Sequence, residues 1–279
     1  MSDTFATRPM TPIETGMKKS GRLKRPVSAV LFDVYGTLFI SASGDISTVK
    51  AQWETGETAR QLVEEFDIKQ APADLLNRFF HAIETAHARM KAQGIDHPEV
   101  ETDKIWQQVL DTPDNARARA VALYFEKTVN PAWPMPNLEA TLSRIQGSDL
   151  RAGIISNAQF YTRHLFDEFL GEQPETSWAD PDLVFYSYTY GYAKPSLYLY
   201  RLAAKQLAAK GIQSDAALYM GNDMLNDIYP AQQCGFQTAL FAGDARSLRL
   251  RKDDKRCEGL APDIVITDLS QLNKYLFEH

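Results

Sequence analysis

The sequence predicts an α/β fold, a doubly wound parallel sheet with an α-helical domain inserted into it. Three observations carry that prediction. Short apolar runs recur along the chain, each closed by polar or turn-forming residues. Amphipathic stretches separate most of them. One long stretch, from about residue 46 to residue 129, reads as helix throughout and holds no convincing strand. Strands that alternate with helices fold as a parallel sheet covered on both faces.

The elements follow in order. The first 25 residues are polar, with Pro9, Pro12, Gly16 and Gly21, and read as a flexible tail, residues 1–25. Its Lys18, Lys19, Arg22, Lys24 and Arg25 read as a solvated basic cluster. Residues 27–32 form the first apolar run, which ends in Asp33-Val34-Tyr35-Gly36-Thr37. A continuous apolar run closed by a turn residue is the pattern of a strand buried on both faces. Residues 151–155, 183–186, 217–220, 238–241 and 263–266 repeat it, and residues 161–170, 196–210 and 228–234 read as helices between them. In the long helical stretch, Leu75, Leu76, Phe79, Phe80, Ile83 and Met90 share one face. Ile105, Trp106, Val109 and Leu110 mark a second helix, and Val121, Leu123, Tyr124, Phe125 and Val129 a third. Four or so helices are too many for a simple crossover. Residues 41–131 are therefore expected to form the inserted domain, and residues 26–40 with 132–279 the core. Pro131, Pro134 and Pro136 mark the return to the core.

Composition narrows the function. An apolar share of 44% and a charged share of 24% fit a soluble globular protein. The net charge of -6 argues against a nucleic-acid partner, which needs a basic surface. Cys234 and Cys257 stand in neither a C-x-x-C pair nor a metal-ligand spacing, so no disulfide and a cytoplasmic location are expected. No apolar run is long enough to span a membrane and the N-terminus lacks the apolar core of a secretory signal, so no membrane partner is expected.

Ligands of open α/β sheets bind beyond the carboxyl ends of the strands. The polar residues that close the runs therefore converge. They are Asp33, Tyr35 and Thr37, then Ser156 and Asn157, then Lys194, then Asn222, Asp223 and Asp227. Each alone has a plainer reading as a cap, a turn or a surface residue. Together they supply a nucleophile, hydroxyl and amide donors, a cation and an acidic pair. His81 and His87 are six apart and cannot share a helical face as ligands, and no phosphate-binding glycine loop is present.

This set resembles the haloacid dehalogenase (HAD) superfamily. Asp33-Val34-Tyr35-Gly36-Thr37 looks like its motif I, Ser156 like motif II, Lys194-Pro195 like motif III, and the segment Gly221 to Asp227 like motif IV. The helical insert lies where the family places its C1 cap, and residues 157–193 are too few for a larger second cap. The resemblance implies a Rossmann-like core and a hydrolase that acts through a covalent intermediate on Asp33. Lys194 would pair with Asp33, Ser156 and Asn157 would hydrogen-bond the transferring oxygens, and Thr37 would orient Asp33 or the substrate. Asp33, the carbonyl of Tyr35, Asp223 and Asp227 would supply the ligands of a Mg²⁺ ion, with Asp227 acting through water or orienting Lys194.

The motifs point to two reactions. Family phosphatases carry an aspartate where this chain has Tyr35, and a tyrosine is a poor base at neutral pH. Tyrosine there resembles the L-2-haloacid dehalogenases, which need neither a leaving-group acid nor a metal. Those enzymes also use an early cap arginine, and Arg60 fits that spacing poorly, beside Glu64 and Glu65. The acidic pair of motif IV favours a Mg²⁺-dependent phosphohydrolase of a small anionic metabolite. Haloacid dehalogenation is the alternative, and an anion-binding regulator with little turnover is a third. The chain is expected to be a monomer or homodimer.

Overall fold

The computed structural model describes residues 9–43 and 57–278. Of the expected pocket segment 40–56, residues 44–56 lie outside the described residues.

The core is a seven-stranded sheet built from β1 (Ser20–Gly21), β2 (Ala29–Phe32), β5 (Arg151–Ser156), β6 (Val184–Tyr186), β7 (Ala217–Gly221), β8 (Gln237–Phe241) and β9 (Ile264–Ile266). Its order is β1-β9-β8-β7-β2-β5-β6, and all pairs are parallel except β1 with β9. β2 lies between β5 and β7, with Phe32 opposite Ile154 on one side and Met220 on the other. Every residue of β2 is buried, which explains its unbroken apolar sequence. From β2 the strand order departs in two directions. That reversal opens a crevice at the carboxyl ends, where Asp33 follows directly.

A short antiparallel ribbon, β3 (Phe39–Ser41) with β4 (Ala132–Pro134), carries the chain out of the core and back. Between its strands stand α1 (Glu57–Glu65), α2 (Pro72–Ala92), α3 (Thr102–Leu110) and α4 (Asn115–Val129). Pro72 opens α2 where its missing N–H costs nothing, and Asp114 caps α4 by accepting from Arg117 N at 3.1 Å. Phe79, Trp106 and Phe125 join these helices through ring centroids 4.6–5.4 Å apart. The loop between α2 and α3 is tied to the core: Ala193 N donates to His97 O at 2.8 Å and Glu99 N to Gly191 O at 3.1 Å.

The core is completed by α5 (Leu138–Gln146), α6 (Thr162–Leu170), α7 (Ser187–Tyr190), α8 (Tyr198–Ala209), α9 (Tyr229–Gln233) and α10 (Leu272–Phe277). No helix among the described residues is long and apolar enough to cross a membrane. The expectation of a flexible tail over residues 1–25 is corrected for its described part. β1 pairs with the edge of β9, Ile13 N donates to Asp244 Oδ1 and Thr15 Oγ1 to Ala242 O. Lys24 and Arg25 of the basic cluster form ion pairs with Asp263 and Asp215.

Candidate active site

A cavity of about 430 Å³ lies between the carboxyl ends of β2, β5 and β7 and the inner faces of α2, α3 and α4. Asp33 stands on its floor. Asp33 N donates to Met220 O at 2.9 Å, so the residue is held by the sheet one position past its strand. The chain then turns at Gly36, which has a φ of +78°. A Cβ there would lie 2.5 Å from Ser247 Cβ and 2.8 Å from Asn222 Nδ2, so only glycine fits.

Lys194 links two carboxylates. Its Nζ lies 2.8 Å from Asp33 Oδ1 and 2.5 Å from Asp227 Oδ1. Tyr219, at the centre of β7, joins them: its hydroxyl lies 3.1 Å from Asp227 Oδ1 and 3.2 Å from Lys194 Nζ, and donates to Ile155 O at 2.8 Å. Burial penalises the Lys194 charge, but Asp227 and Asp33 outweigh it and hold its pKa above the ordinary value. Burial pushes Asp227 up to about 7, with Asp33 and Asp223 adding to the shift and Lys194 opposing it. Gly221 makes this packing possible, because a Cβ would sit 2.3 Å from Asp227 Cγ. Asn157 braces the lysine from the next loop. Its Oδ1 accepts from Lys194 N at 2.7 Å and its Nδ2 donates to Lys194 O at 3.3 Å.

Two sequence-selected residues sit one step back from the cavity. Ser156 is fully buried, with its hydroxyl 3.4 Å from Asn157 O, and Thr37 is fully buried and donates to Asn222 Oδ1 at 3.1 Å. Neither lines the cavity. Asn222 is fixed from the other side by donating to Ser247 O at 2.6 Å. Tyr35 does line the cavity, but its hydroxyl shares a 3.0 Å hydrogen bond with Thr162. Burial, then Glu126, holds its pKa well above the ordinary phenol value, so it stays protonated and cannot act as a base. Arg60, Glu64 and Glu65 do not line the cavity, nor do Tyr186, Tyr188, Tyr190 and Tyr192, which pack among themselves and on Phe185 and Tyr198.

Asp223 and Asp227, expected as Mg²⁺ ligands, are both engaged by donors of the protein itself. Asp223 caps the turn that follows it, with Oδ1 accepting from Leu225 N and Asn226 N. Arg251 then grips both oxygens, Nε at 3.1 Å from each and Nη2 at 2.6 Å from Oδ2, while Asn226 Nδ2 adds a further bond. Asp227 is equally committed, since its Oδ2 accepts from Asp223 N at 2.9 Å. Lys194 and Arg251 already supply the positive charge that a metal would bring to this acidic group. Among the described residues, no cluster of three His, Cys, Asp or Glu side chains could hold a metal. Sequence reasoning missed Arg251, Arg249 and Tyr219; the only signal for the two arginines was the alternation in Leu248-Arg249-Leu250-Arg251.

Known proteins share this fold. The family model for haloacid dehalogenase-like hydrolases matches residues 27–235. The fold is similar to a 2-haloacid dehalogenase from Pseudomonas syringae pv. Tomato DC3000, at 19% identity and a TM-score of 0.54, covering 90% of this chain and 98% of that one. It is similar also to a HAD phosphatase from Thermococcus onnurineus, at 16% identity and a TM-score of 0.52, covering 90% and 98%. The L-2-haloacid dehalogenase of Xanthobacter autotrophicus with chloropropionic acid covalently bound gives 17% identity and a TM-score of 0.50, covering 90% and 99%. No curated protein matches the chain in sequence. Identities this low establish the fold alone, but the family model spans most of the chain, which belongs to the haloacid dehalogenase-like hydrolases.

Proposed function

We propose that the protein is a metal-independent hydrolase that cleaves a carbon–halogen bond through an ester on Asp33. The observation that carries this reading is the closed charge arrangement around Asp33: Lys194 and Arg251 occupy the neighbouring Asp227 and Asp223. Tyr35, kept protonated by burial, stands where phosphatases of this family carry an aspartate that protonates the leaving group. A halide leaves with its electron pair and needs no proton. In the first step an Asp33 oxygen bonds to the substrate carbon as the carbon–halogen bond breaks. In the second, water adds to the ester carbonyl and gives a proton to Asp227. Collapse expels the alcohol oxygen, which takes that proton, and the regenerated Asp33 carboxyl releases its own to solvent. Lys194 offsets the negative charge that develops on the ester oxygen.

The test is paired product detection on purified protein, with Mg²⁺ or with a chelator. Halide is read from a panel of small chlorinated and brominated acids, amines and alcohols. Phosphate is read from acetyl phosphate and p-nitrophenyl phosphate. Halide release should be indifferent to the chelator and fall at least about 10⁴-fold in Asp33→Asn. Its rate should rise with pH through about 7, where Asp227 loses its proton and becomes the base for the second step. Phosphate release that requires Mg²⁺ would restore the phosphohydrolase reading instead.

A further inference from the structure

The cavity has two ends of different chemistry. On the sheet side are Asp33 and Lys194. On the opposite side are two more carboxyls, Glu126 of α4 and Glu99 of the α2–α3 loop, which line the same space. Tyr35 lines the cavity as well. The remaining wall is apolar and aromatic, with Phe79, Trp106, Val100 and Phe125.

Among the described residues, neither acid is balanced by a cation. Glu126 accepts from Asn130 Nδ2 at 2.8 Å and is hydrogen-bonded by Tyr161. Glu99 accepts from Ser187 Oγ at 2.8 Å, Val100 N at 3.0 Å and Gln159 Nε2 at 3.2 Å. All of these partners are neutral. No lysine or arginine of α1–α4 lines the cavity among the described residues. A carboxylate enclosed by protein without a counter-charge is costly, so it either holds a proton or waits for a cationic partner. Burial raises both groups, Glu99 to about 7, and a positive charge beside either would favour its ionised form.

We infer that Glu126, supported by Glu99, receives an ammonium group at the non-reacting end of the substrate, so that the substrate class is a small organic halide bearing an amine rather than a second carboxylate. This rests on the reading of Asp33 as the group that meets the reacting carbon. A carboxylate at that end would face acids and, among the described residues of the helices, no cation. An ammonium would meet the Glu126 carboxylate against an apolar wall.

Binding separates this inference from the reaction. Benzylamine, benzyl alcohol and benzoate share one ring and differ only at the head group. Each is titrated calorimetrically into the full-length Asp33→Asn protein, which removes Asp33 as a competing anion and stops turnover. Benzylamine should bind at least tenfold more tightly than the other two. Adding Glu126→Gln should erase that preference, and Glu99→Gln should reduce it. Both substitutions keep the side-chain shape, and thermal melts confirm that the variants fold. Benzoate binding as tightly as benzylamine, a preference that survives Glu126→Gln, or no benzylamine binding at all would each overturn the inference. Glu126-dependent amine binding in a protein that releases no halide would uphold it and remove the reaction assigned to Asp33.

Discussion

Arg251 determines what Asp223 can do. Its guanidinium covers the one side of that carboxylate that the following turn leaves open, and an arginine fork matches a carboxylate better than any other side chain. Arg251→Ala should therefore cost about 1–3 kcal/mol, the scale for a buried acceptor left short of its donor. It should also create a cation site. Millimolar Mg²⁺ should raise the melting temperature of the variant and leave that of the parent unchanged; equal shifts in both would show that Asp223 was never closed to a metal. This is the scale at which the sequence is least complete. Asp33 and Lys194 were legible because strand ends must converge in a parallel sheet. Arg251 was not, because its partner lies 28 positions away and no periodicity joins them. Ser156 and Thr37 were placed at the right strand ends, but sequence cannot tell whether a side chain at such an end faces the ligand or the loop beside it.

At the scale of elements, the cavity wall is held by aromatic packing between helices. Trp106 is fully buried, stacks on Phe79 and meets Phe125 edge-on. Trp106→Ala should lose roughly 3–5 kcal/mol, read as a shifted denaturant midpoint with an unchanged slope. A loss under 1 kcal/mol would mean that the three helices do not depend on this contact. The long helices were legible from their apolar spacing, and the six buried strands from their unbroken runs. β1, β3 and β4 were not, because two or three residues carry no measurable alternation. What makes them strands is a neighbouring edge, supplied by tertiary structure.

For the molecule as a whole, the N-terminal arm has a use that its polar composition conceals. β1 covers the outer edge of β9, which would otherwise offer unpaired backbone groups to another chain. Removing residues 1–21 should lower the melting temperature by several degrees and promote self-association, measured by light scattering. A truncated chain that stays monomeric and equally stable would make the arm dispensable. The reading of the arm as a tail went wrong because composition reports the absence of a core, not the presence of an edge that needs a partner. The loop of residues 97–99 has a consequence of another kind. It fastens the helical side of the cavity to residues 191 and 193, next to Lys194. Pulling these segments apart must break backbone bonds one and three residues from the lysine. A disturbance of residues 97–99 is therefore passed along the backbone to the seat of the lysine.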